Sequence, residues 1–156
     1  VAAEFGPVTA IHWNAYTGVA GDVMTADAAA VRAAFDVAVT SLVLAIQEAY
    51  QDLKAAKGTV LVTNGGFALF DQKIDAWVVQ SSAMGVAIGN AAKHKLIGLL
   101  CERLRSDEIT VGEVMVMGHV KGTAWDPGNA TIEPAAIAGK FWEIYSKRES
   151  KVVTVG

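Results

Sequence analysis

SSAMGVAIGNAAKHKLIGLLCERL, residues 81–104, lacks proline and carries Met84, Ile88, Ala92, Leu96 and Leu99 at spacings of three and four, which predicts a long helix. Asn90, Lys93 and His94 interrupt this apolar and small-residue surface near its start. By periodicity alone, Lys93, His94 and Lys95 are the solvated side of an amphipathic helix. Lys93 is also the first candidate for any chemistry on that face.

Working outward, residues 26–56 contain no Gly or Pro and repeat Val31, Phe35, Val39, Leu42, Ile46, Ala49 and Leu53 every three or four positions, a second long helix with one apolar stripe. Thr25 is its expected N-cap, with Asp27 near the positive end of the dipole. Between the two helices, Thr59–Thr63 (TVLVT) has β-branched and apolar residues without polar alternation, as in a parallel strand covered on both faces. Asn64-Gly65-Gly66 ends it, and residues 67–80 show no clear pattern.

Toward the N-terminus, residues 1–5 read as a helix end stopped by Gly6 and Pro7. Residues 8–14 (VTAIHWN) then read as a strand, followed by a small-residue, turn-prone run. Past the opening helix, residues 109–117 (ITVGEVMVM) predict a third strand, with Met115 and Met117 in the core. Gly118–Gly128 is a loop with three glycines and a proline. Pro134 suits the first turn of a helix over 135–145, and Val152–Val155 closes the chain as a fourth strand. Strands alternating with helices predict one α/β domain over 1–156, a parallel sheet with right-handed crossovers and helices on its faces. Ligands of such a sheet bind beyond the carboxyl ends of the strands, here Asn14-Ala15-Tyr16, Asn64-Gly65-Gly66 and Gly118-His119-Val120.

Composition excludes several classes of partner. The 156 residues are 53% hydrophobic with a mean hydropathy of +0.35, which is enough apolar material for one buried core. A net charge of −3 without a basic run gives no footprint for nucleic acid or an anionic membrane. No uninterrupted apolar run reaches the length of a membrane span. The single Cys101, set among leucines, reads as a small hydrophobe and fits a reducing, cytoplasmic setting. His12, His94 and His119 have no metal-ligand spacing, so no metal is expected. Trp13, Trp77, Trp125 and Trp142 are scattered along the chain. Tyr16 is a second hydroxyl candidate, with no lysine that sequence alone can place beside it.

The order of these pieces resembles the C-terminal two-thirds of the short-chain dehydrogenase/reductase (SDR) family, a Rossmann-like fold, over essentially the whole chain. Residues 5–8 leading into His12-Trp13-Asn14-Ala15-Tyr16 are similar to the family's fourth strand, which ends Asn-Asn-Ala-Gly; Asn14 and Ala15 match. Residues 35–39 (FDVAV) resemble the helix motif in which asparagine follows valine, residues 58–66 the fifth strand ending in paired serines, and Asn90-Ala91-Ala92-Lys93 the helix motif of tyrosine, three residues, lysine.

The resemblance implies an NAD- or NADP-dependent oxidoreductase with Asn14, Ala15, Lys93, Gly118 and Val120 at the cofactor. In that family a tyrosine is the acid/base, a lysine lowers its pKa and holds the nicotinamide ribose, a serine polarises the substrate oxygen, and an asparagine carries a water chain. Here the asparagine position is Ala38, the serine position Gly65 or its neighbour, and the tyrosine position Gly89. Only Lys93 is kept, so the competing expectation is a non-catalytic binding or subunit-interaction module. The glycine-rich turn that receives the pyrophosphate does not precede Val8. Residues 9–13 lack the features that protect a sheet edge, which predicts that further strands of a longer chain, or a partner, pair there. The resemblance also implies a homo-oligomer built on helices 26–56 and 81–104, where Ala87, Ala91, Ala92 and Gly98 permit close approach.

Overall fold

The computed structural model describes residues 2–156. A helical turn α1 (Ala2–Phe5) precedes β1 (Ala10–Trp13), α2 (Ala28–Phe35), α3 (Ser41–Ala56), β2 (Thr59–Gly65), α4 (Gln72–Gln80), α5 (Met84–Leu104), β3 (Thr110–Val116), α6 (Pro134–Lys147) and β4 (Lys151–Val155). The helix end read at residues 1–5 is found over Ala2–Phe5, followed by Gly6 at φ 86°; Val1 lies outside the described residues. The strands form one parallel sheet in the order β1-β2-β3-β4. The expected α/β parallel sheet is therefore present. Among the described residues β1 pairs with β2 alone, so its other edge is open.

Side-chain alternation splits β2 and β3 between two layers. Val60, Val62 and Val111 pack with Leu42, Ile46, Leu53 and Ile97 beneath α3 and α5. Leu61 and Val114 pack with Phe141 and Ile144 of α6 on the opposite face. Gly112 is required by this second contact, because a Cβ there would lie 2.5 Å from Cγ2 of Ile144. By length and composition residues 28–56 could also cross a bilayer. Here their stripe of Leu42, Ile46, Ala49 and Leu53 is buried on the sheet, as in a core helix.

Several local expectations are corrected. Asp27, not Thr25, caps α2 by accepting from the Ala30 amide at 2.8 Å. Thr25 instead bonds Asp22 in the preceding turn. The helix expected over 26–56 is divided by a π-helical stretch, Asp36–Thr40, a wider coil that a residue-by-residue apolar count does not register. The patternless segment 67–80 contains α4, capped by Asp71.

The opening helix begins at Met84, not Ser81, which caps the end of α4. Its first amides are satisfied by tertiary contact: Met84 N–H donates to Gly21 C=O at 3.0 Å and Gly85 N–H to Ala20 C=O at 2.8 Å. Gly85 is essential there, since a Cβ would overlap the Val19 carbonyl. Met115 is buried as expected, but Met117 lies past the end of β3 and is 40% exposed.

Candidate functional site

At the carboxyl ends of the strands lies a cavity of about 480 Å³, and all five expected cofactor residues, Asn14, Ala15, Lys93, Gly118 and Val120, line it. Tyr16 lines it too, so the fold places this phenol and Lys93 around one space. α5 brings in Asn90 and Lys93 on successive turns, and the loops after β1 and β3 bring in the rest. Lys93 is 2% exposed, whereas Lys95 faces solvent. The solvated-face reading therefore holds for Lys95 and fails for Lys93.

Nothing among the described residues bonds the Lys93 ammonium. Burial lowers its pKa from 10.5 to about 8, against a smaller upward pull from the charge of Glu113. A buried amine poised between charged and neutral forms is uncommon away from functional sites. Asn90, 7% exposed, likewise has no side-chain hydrogen bond among the described residues.

Behind Lys93 is a polar cluster. Glu113, at the centre of β3, is completely buried. It accepts from Asn64 Nδ2 at 2.5 Å through Oε1, and its Oε2 meets His94 Nδ1 at 2.6 Å. Asn64 also donates to the Asn90 carbonyl at 3.0 Å, while its Oδ1 accepts from the Gly65 amide at 3.0 Å. Glu113 and Asn64 point to the α5 face because both share the parity of the inward-facing valines 62 and 111. Glu113 does not stand out in the sequence as a site residue. The available signal was one charged residue inside an otherwise apolar parallel strand.

The residues expected at the family's missing groups are closely packed. A Cβ on Gly89 would lie 3.0 Å from Cβ of Ala38, so the two residues expected at the tyrosine and asparagine positions pack against each other. A Cβ on Gly65 would lie 3.0 Å from Nδ2 of Asn90, so the Asn90 amide occupies the space beside Gly65.

A second cavity of about 560 Å³ adjoins the first, and Tyr16, Gly65, Asn90, Gly118, His119 and Trp125 border both. Its outer wall is aromatic. Phe67 and Trp77 meet edge to face at 5.0 Å, and Trp77 meets His119 in the same way at 5.8 Å. The Trp125 indole N–H donates to the Tyr16 hydroxyl, joining the loops after β1 and β3. Two of the scattered tryptophans thus converge on one cavity. On the other side, His12 bonds Thr63 at 3.2 Å and packs on Phe141, and burial lowers its pKa. Cys101 is half-buried, and burial raises its thiol pKa. Among the described residues no three His, Cys, Asp or Glu side chains form a metal-binding group.

No protein-family model matches the sequence, and no curated protein matches it significantly. Solved structures do match the fold. A short-chain dehydrogenase from Streptomyces avermitilis superposes with a TM-score of 0.82 at 14% identity, over 100% of this chain and 64% of its own. An NADH-dependent reductase responsible for alginate metabolism gives 0.80 at 16% identity, covering 99% and 65%. A short-chain dehydrogenase/reductase of unknown function from Caenorhabditis elegans, solved with cofactor, gives 0.77 at 15% identity, covering 98% and 66%. The chain spans about two thirds of the length of these structures. Over that span it has the Rossmann-like fold of the short-chain dehydrogenase/reductases.

Proposed function

We propose that this chain is the part of an NAD(P)-linked oxidoreductase that faces the nicotinamide and the substrate. The observation that carries the reading is the buried, unpartnered Lys93 in a cavity also lined by Asn14, Ala15, Gly118 and Val120. Those residues fit the nicotinamide-ribose end of the cofactor: the Lys93 amine would donate to ribose hydroxyls, and the loop after β3 would border the ring. No glycine-rich turn for the pyrophosphate occurs among the described residues. When bound, the nicotinamide would supply hydride chemistry.

On the protein side, Tyr16 is the phenol of this cavity and the group available to move a proton, since Gly89 has no hydroxyl. Asn90 takes the hydrogen-bonding position beside Gly65. The second reading, a nicotinamide-independent binding module, is favoured by the closure of the tyrosine and serine positions by Ala38 and Asn90. In either case helices α2, α3 and α5 supply a surface for self-association, with Leu44 and Leu99 exposed on it.

Calorimetric titration of the full-length protein with NADH and NADPH tests the first reading. We expect binding that weakens at least about tenfold in Lys93→Met, the scale of a lost charge-assisted hydrogen bond. Absence of binding leaves the second reading. Binding without turnover of a panel of ketones and aldehydes keeps the cofactor site and removes the catalysis.

A further inference from the structure

The second cavity has a composition that selects among ligands. No Asp, Glu, Lys or Arg lines it among the described residues, although charged side chains make up 19% of the chain. A bound ion would meet no counter-charge there and would lose its hydration without recompense. Phe67, Trp77 and His119 present a continuous run of edge-to-face contacts. Such edges prefer the face or edge of another π system to a flexible alkyl chain.

One further group stands out. Asn90 is nine-tenths buried, has no side-chain partner among the described residues, and holds its amide nitrogen beside Gly65 on the wall that both cavities share. Its amide atoms are not sealed off from the cavity, so the amide is open to a ligand that accepts a hydrogen bond. The cavity volume of about 560 Å³ lies in the range that accommodates small organic molecules.

We propose that this cavity binds an uncharged aromatic compound with one hydrogen-bond acceptor, its ring against Phe67, Trp77 and His119 and its acceptor on the Asn90 amide. The proposal rests on the oxidoreductase reading for its meaning as a substrate class: a neutral aryl carbonyl compound or the matching alcohol. With the ring in the aromatic cavity, the acceptor lies at the border with the cavity that contains Lys93 and Tyr16.

The test needs no nicotinamide. Three probes are titrated into the purified protein while the indole N–H signals are followed by NMR: acetophenone, 2-octanone with the same number of heavy atoms, and 4-acetylbenzoate. Acetophenone is expected to shift the Trp77 signal and bind at least about fivefold tighter than 2-octanone, the size of an aromatic contact. It should bind more than about tenfold tighter than the charged benzoate. Trp77→Leu, or Phe67→Leu should the first variant not fold, is expected to remove the preference over 2-octanone. Asn90→Leu is expected to weaken acetophenone but not toluene, and Trp142→Leu, on the outer face of α6, to change nothing.

Equal affinity for acetophenone and either other probe overturns the proposal, as does an unmoved Trp77 signal. The ranking on the unmodified protein decides this even if every variant misfolds. Aromatic binding without nicotinamide binding by the full-length protein overturns the oxidoreductase reading alone; the reverse result overturns the aromatic cavity alone.

Discussion

Glu113 and Glu143 are both anchored by several partners, yet their surroundings make them opposite kinds of residue. Glu143, on α6, faces the amines of Lys151 at 3.0 Å, Lys147 at 3.3 Å and Lys140 at 3.3 Å. Their hydrogen bonds, Lys151 first, hold its carboxyl down to about 2. Glu113 is buried in β3 without a lysine in bonding contact and is met by Asn64 and the His94 ring. On the surface, water competes for every group and the pairs are exchangeable. Inside, no solvent can replace a lost partner, so each group depends on its neighbours. Counting charges around a glutamate would rank Glu143 as the more important. Burial reverses the order.

The largest effect is expected for Glu113→Ala. It strips Asn64 and His94 of a buried hydrogen-bond partner and should cost about 3 kcal/mol of stability in a denaturant titration. A loss comparable to that of a surface substitution would break the contrast.

Lys93→Met comes next and should be stabilising. The amine has a pKa of about 8 when folded, against 10.5 as its ordinary value. Between those pH values the unfolded chain binds more protons, so this group makes stability rise with pH from about 8 to about 10.5, by about 3 kcal/mol. Below pH 8 both states are protonated and the full penalty is present. The variant should lack that rise and be more stable at pH 7, while binding nicotinamide about tenfold more weakly.

Gly89→Tyr should cost about 1–3 kcal/mol, because its Cβ meets Ala38 at 3.0 Å and the packed π-helical stretch must give way. Restoring the family tyrosine alone should therefore fail to restore turnover, as a carbonyl-reduction assay would show. The smallest effect is expected for Glu143→Gln, whose change at pH 7 should fall within the error of the same titration. Its folded pKa is depressed, so whatever it contributes is present above the ordinary carboxylate value and is lost as pH falls toward about 2. An unfolding midpoint that separates from wild type at pH 7 as widely as that of Glu113→Ala would erase the comparison.

The sequence of α5 shows where reading a chain succeeds and where it stops. Its apolar spacing identified a helix, and the motif spacing set Lys93 apart from Lys95. Its start, at Met84 and not Ser81, is not marked by any local capping side chain. The amides of Met84 and Gly85 are instead satisfied by carbonyls of a loop some sixty residues earlier in the chain. The π-helical stretch, whose Ala38 lies beside Gly89, likewise leaves no mark on the apolar repeat. Glu113 was overlooked because a charge in an apolar strand has no meaning until its facing residues are known.

By itself the sequence determined the alternation of strands and helices, the parallel sheet and the loops at its carboxyl end. Those depend on periodicity, glycine placement and β-branching, which act over a few residues. Only the tertiary structure decided that Lys93 is buried, that Asn64 and His94 meet Glu113, that Ala38 and Asn90 close two expected site positions, and that Phe67, Trp77 and His119 form one wall. Each of these joins residues far apart in the chain through burial and register, and neither is a property of a local stretch.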